Sequence, residues 1–106
     1  MPGVDLNYFM RQASKLTEKL EQRKKELADE TVEGQAGDGR VKVVATGAGG
    51  IRTIKIAPEV LQAGDVEMME DLIAAAVNAA LTQARELSER ELGKISGGLK
   101  IPGITG

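Results

Sequence analysis

The chain has 106 residues, a net charge of −2 and an ordinary 42% apolar content, enough for one domain. It contains no Cys and no His, which excludes disulfides, thiolate chemistry and Cys-based zinc sites and removes the usual general base and commonest metal ligand. No apolar run approaches the roughly 20 residues of a membrane span, and Met1 to Phe9 lacks the charged-then-apolar layout of a signal peptide, so the sequence reads as a cytoplasmic protein.

Tyr8 and Phe9 are the only aromatic residues, and Trp is absent. Val, Ile, Leu and Ala must therefore supply the core. Aromatic side chains bring the largest burial per residue, so their scarcity leaves a thin core for a monomer and favours self-association.

Residues Asp5 to Ala28 read as one long helix with Asp5 as N-cap. Leu6, Phe9, Ala13, Leu16, Leu20 and Leu27 fall on alternating steps of three and four, with Arg23 the single polar break. That is a heptad seam. At about 1.5 Å per residue the helix is roughly 36 Å long, longer than a small sheet covers, so part of the stripe needs a partner. The period then changes. Val41, Val43 and Ala45 alternate with Lys42, Val44 and Thr46, and Ile54 and Ile56 alternate with Thr53 and Lys55. With a shorter strand from Thr31 and turn glycines at Gly37, Gly39, Gly47, Gly49 and Gly50, the pattern predicts an antiparallel meander over 31–36, 40–46 and 51–56.

Ala57-Pro58 ends the last strand, and Glu59 to Gly64 forms a turn or a single helical loop. Asp65 is the expected N-cap of a second long helix reaching about Leu92. Glu67, Glu70 and Asp71 suit its dipole, and Met69, Ile73, Ala76, Ala80, Ala84 and Leu87 share one face, broadened by Leu72, Val77 and Leu81. The alanines let a neighbouring backbone approach closely. Met68 and Met69 read as core filler. Asn78, polar on this alanine-rich helix, bonds across a dimer or caps a backbone group of the sheet. The Pro/Gly-rich end makes 96–106 a flexible tail beyond a single domain over 1–95.

Little here resembles catalytic machinery. The Gly47–Gly50 run leads into a strand, whereas phosphate loops lead into a helix N-terminus, so a hairpin turn accounts for it. The carboxylate pairs Asp29/Glu30 and Glu70/Asp71 are adjacent residues, pointing about 100° apart on a helix, and acid–base work needs carboxyls converging in a cleft. No enzyme activity, cofactor, metal or small-molecule substrate is expected.

Charge is more informative by segment. Residues 57–78 carry five acids and no base; residues 1–28 carry six bases against four acids, and 31–56 four bases against two. Phosphate binding depends on such local bases rather than on overall charge. Charge alone leaves nucleic-acid binding open, because no patch is strongly basic.

The order of these pieces is specific. A heptad-like basic helix precedes Val32-Glu33-Gly34 and Gly39-Arg40-Val41-Lys42-Val43; then come Gly47, Ile54-Lys55-Ile56 before Pro58, Leu61, and the block Met69-Glu70-Asp71-Leu72-Ile73-Ala74-Ala75-Ala76-Val77-Asn78-Ala79-Ala80. Over essentially its whole length the chain resembles the YbaB/EbfC family of bacterial nucleoid-associated proteins. The resemblance implies an α+β fold of long helix, three-stranded antiparallel meander and long helix. It also implies a homodimer, joined through sheets and helices, with the long helices projecting like tweezers. It further implies double-stranded DNA binding with little sequence preference, a place in the nucleoid, a part in gene regulation, and no catalytic residues. It supplies no DNA-contact motif, so the candidate contacts are drawn from the bases of the two helices: Arg11, Lys15, Lys19, Arg23, Lys24, Arg85, Arg90 and Lys94. The competing expectation is a non-enzymatic interaction scaffold in recombination or replication, docking a partner through its helix stripes or through Ile101 and Ile104.

Overall fold

The computed structural model describes residues 5–97. Helix α1, Leu6–Leu27, starts where the Asp5 carboxylate accepts the Tyr8 N–H at 3.2 Å and ends with Lys24 and Lys25 beside the negative end of the helix dipole. Strands β1 (Thr31–Ala36), β2 (Val41–Thr46) and β3 (Ile51–Ile56) form the antiparallel meander in sequence order, with β2 central. A short helix α2, Pro58–Gln62, occupies the segment read as a turn or helical loop. Helix α3, Val66–Ile95, follows, its first turn capped by Asp65 through the Met68 N–H at 3.0 Å.

Alternation along β2 buries Val41, Val43 and Ala45 under α3, where they meet Ala76, Ala80 and Ala84. The three alanines recur every four residues, and their small side chains let α3 lie close to the sheet. Gly34 of β1 completes the approach. A Cβ there would stand 2.2 Å from the Ala80 nitrogen and 2.6 Å from the Ala76 oxygen, so no other residue fits without parting β1 from α3. Val32, Ala36, Ile56, Leu72, Ile73 and Val77 pack round this core, and Met68, Met69 and Leu87 are half-buried outside that set. Of the two roles expected for Asn78, capping the sheet does not occur: two residues on from Ala76 it lies about 160° round the helix and is exposed.

Gly47, at the start of the β2–β3 turn, is the second close approach. Its N–H donates to the carbonyls of Leu27 and Glu30, each at 2.9 Å, and an added Cβ would lie 2.7 Å from the Leu27 oxygen. This fixes the end of α1 against the hairpin, and the Gly47–Gly50 run is a turn. From there α1 runs antiparallel along α3, then beyond its end. The molecule measures 76 × 23 × 16 Å with a radius of gyration of 19.9 Å, against about 13 Å for a compact domain of this length.

Helix α3 covers β1 and β2 and leaves β3 largely bare. Ile54 pairs with Val43, and Ile56 with Val41, so these side chains share the face of the core. Yet Ile54 is 45% exposed and Ile51 41%. The core is thin, as the lack of aromatics predicts, and it stays open on the β3 side.

Candidate nucleic-acid interface

The candidate bases divide into two environments. Arg11, Lys15 and Lys19 are exposed on the outer and middle turns of α1, and Arg85 is exposed on α3. None of the four forms an ion pair among the described residues. Lys24 is exposed as well, with its ammonium 3.5 Å from Glu21.

Arg23 is different. It occupies a heptad seam position turned towards α3, and only 19% of its side chain is exposed. Its guanidinium donates to Glu26 at 3.0 Å, to both carboxylate oxygens of Glu30, and to Glu91 of α3 at 2.8 Å. Glu91, with 18% of its side chain exposed, also accepts from Lys94 at 2.7 Å and lies 3.9 Å from Arg90. Planar, multiply donating Arg suits such a fork, where a single ammonium does not. The cluster thus joins α1, the α1–β1 turn and the end of α3. It takes up Arg23, the one base of the set that bridges α1 and α3, while Arg90 and Lys94 meet only Glu91 of their own helix and stay 60% and 67% exposed.

These contacts hold the carboxyls ionised. Lys94, then Arg23, lower Glu91 to about 2, and Arg23 lowers Glu30 below the ordinary carboxylate value. A depressed folded-state value gives stability that is present above the unfolded value and lost as pH falls through the folded one. The thermal midpoint is therefore expected to drop between pH of about 4.5 and 2. Melts of the Glu91→Gln variant should show a shallower decline over that window.

Sequence reasoning missed Glu91 as the partner of Arg23. The only signal was a charged residue at a seam position of α1. It also left out the sheet, where Lys42 and Lys55 are cross-strand partners on the face away from α3. Two like charges side by side are unfavourable, and they form a second exposed basic point.

Charge is segregated along the molecule. Glu67, Glu70 and Asp71 lie in the first turns of α3, and Lys94 is in its last turn, about 40 Å away at 1.5 Å per residue. That is several Debye lengths at physiological salt, so the acidic start of α3 does not cancel the bases of α1. An open groove of about 420 Å³ lies where Lys15, Lys19 and Gln22 of α1 pass Ile95. It is shallow and open to the surface. Among the described residues no helix is long and apolar enough to cross a membrane, and no cluster of acidic side chains is arranged to hold a metal ion.

A long helix, a three-stranded antiparallel meander and a second long helix, with exposed bases on the projecting part of the first, define the class of this α+β protein. Comparison with known proteins is specific: residues 1–99 match the model of the YbaB/EbfC DNA-binding family, and the chain belongs to that family. It is 66% identical over 105 residues to a nucleoid-associated protein of Myxococcus xanthus, covering 99% of this chain and all of that one. It is 44% identical over 104 residues to a nucleoid-associated protein of Pelotomaculum thermopropionicum, covering 98% and 99%. A crystal structure of an uncharacterized Helicobacter pylori protein superposes with a TM-score of 0.78 at 19% identity, covering 90% of this chain and all of that one, and it shares the fold.

Proposed function

We propose that this protein is nucleoid-associated and binds double-stranded DNA as a homodimer with low sequence specificity, organising the DNA and influencing gene expression. The observation that carries the reading is the row of exposed, unpaired bases Arg11, Lys15 and Lys19 on α1, in a chain whose family is a DNA-binding one. Bases on a helix flank meet phosphates, which position a protein without reading sequence. Among the described residues no helix-turn-helix arrangement offers a recognition helix to a groove. Arg85, Lys24, Arg90 and Lys94, all exposed, extend the contact, and Arg23 acts mainly by fixing the angle between α1 and α3.

The homodimer is supported by the bare side of β3. Ile51 and Ile54 lie on the core face, 41% and 45% exposed, beside an edge strand whose backbone groups are unpaired. Such an edge is an association site, and a second copy seated on it completes the thin core and doubles each basic row.

Fluorescence anisotropy with a labelled 30-base-pair duplex tests the reading. Binding should weaken steeply with salt, and changing Lys15 or Lys19 to Ala should each flatten the log–log slope by about 1 for every such residue that meets a phosphate. A second duplex of unrelated sequence should bind within a few-fold of the first. Absence of binding at low salt would overturn the proposal.

A further inference from the structure

The outer half of α1 carries an apolar stripe that nothing among the described residues covers. Leu6, Phe9, Ala13, Leu16 and Leu20 form the seam, which continues inward to the buried Leu27. Only its inner part meets α3. Ile95, the last residue of α3, lies level with Lys15 and Lys19, so Leu6 is 67% exposed and Phe9 55%. About 15 Å or more of helix stands beyond that point, and both aromatic residues of the chain are on it, packed edge-to-face at a centroid distance of 6.1 Å.

DNA and a second helix are the two occupants to weigh, and the placement of charge separates them. At 100° per residue, Arg11 lies about 170° and Lys15 about 130° round from the centre of the stripe. A duplex held by those bases faces away from Leu6 and Phe9. Of the positions flanking the outer seam, Met10, Gln12 and Thr17 are uncharged and the capping Asp5 at the helix start is the one charge, so an identical seam meets little like-charge repulsion on approach. Further in, the flanks become Lys19, Lys24 and Glu26 and the seam itself carries Arg23, which suits the contact with α3 and not a copy of itself. The stripe is also continuous with the α1–α3 interface, so a partner helix extends an existing packing surface. We propose that the outer half of α1 pairs with the same segment of a second copy, at a contact separate from the β3 face, and so links one dimer to another.

Sedimentation velocity tests this without DNA. The parent should show a mass at least twice that of the Leu6→Gln/Phe9→Gln variant at equal concentration, because each dimer carries two such stripes. The variant should keep the parent's thermal midpoint, because neither side chain reaches the core. Since the chain has no Cys, Ala13→Cys supplies a second readout. Ala13 is midway along the stripe and meets its counterpart in either helix orientation, so oxidation should link this variant far more completely than Arg11→Cys on the opposite flank. Equal masses for parent and double variant, with equal linking at positions 11 and 13, would overturn the proposal. Retained anisotropy binding of a single duplex by the double variant separates this contact from the DNA-binding reading.

Discussion

Replacing Gly34 with Ala is expected to lower the thermal midpoint by about 10–20 °C, the largest stability effect of any single methyl group in this fold. The reason is geometric. The added Cβ would face three backbone atoms of α3, at 2.2 Å (Ala80 nitrogen), 2.6 Å (Ala76 oxygen) and 2.7 Å (Ala80 Cα). Backbone cannot rotate aside as a side chain does. Relief requires β1 to part from α3 along the most extensive packing surface in the molecule, and that opens the small core of Val41, Val43, Ala45 and the three alanines. Overpacking a tight site costs about 1–3 kcal/mol, and here the upper end applies. Gly93→Ala is the matched control. Its Cβ meets nothing within 4 Å, and Ala in a helix interior is better than Gly by about 0.5–1 kcal/mol, so that variant should melt slightly higher. Circular dichroism melts of the two variants check both directions. A Gly34→Ala midpoint within a few degrees of the parent would show that β1 and α3 do not approach so closely.

The local elements were legible because each is set by neighbouring residues. Asp5 and Asp65 cap the helices they were expected to cap, and the strands lie within a residue of the alternating segments. The end of α3 was less clear: the apolar period fades after Leu92, yet the helix runs on through Gly93 to Ile95. The alanine stripe announced a close neighbour but not which one, because Gly34 is more than forty residues away in sequence. Ile54 and Ile56 patterned as core, and pattern alone does not say whether the chain's own helix or another copy covers them. The basic segments gave candidate residues for DNA contact without dividing them into exposed and paired. That division depends on Glu91, 68 residues from Arg23, and no local spacing encodes it.

Arg23 is where sequence logic and structure give opposite forecasts. As the one polar break in the α1 seam, it looks like a residue that Leu should improve. The structure forecasts the reverse. Removing the guanidinium leaves the carboxylates of Glu30 and Glu91 facing each other without the group that bridges them, in a setting where less than a fifth of the Arg23 and Glu91 side chains is exposed. Arg23→Leu should therefore loosen α1 from α3 while the sheet and its alanine-lined helix stay folded. Hydrogen exchange is the direct measurement: protection over Leu16–Leu27 should fall by roughly tenfold or more, as expected when charge-assisted bonds are lost, with β2 unchanged. Arg23→Lys should restore only part, because one ammonium does not span three carboxylates. The same series decides what Arg23 does for DNA. If it acts by holding α1 at its angle, Arg23→Leu weakens binding and leaves the salt slope close to that of the parent, while Lys15→Ala flattens the slope. If Arg23→Leu instead flattens the slope as Lys15→Ala does, then the guanidinium leaves Glu30 and Glu91 to meet a phosphate, and the ion cluster is a resting state of the free protein.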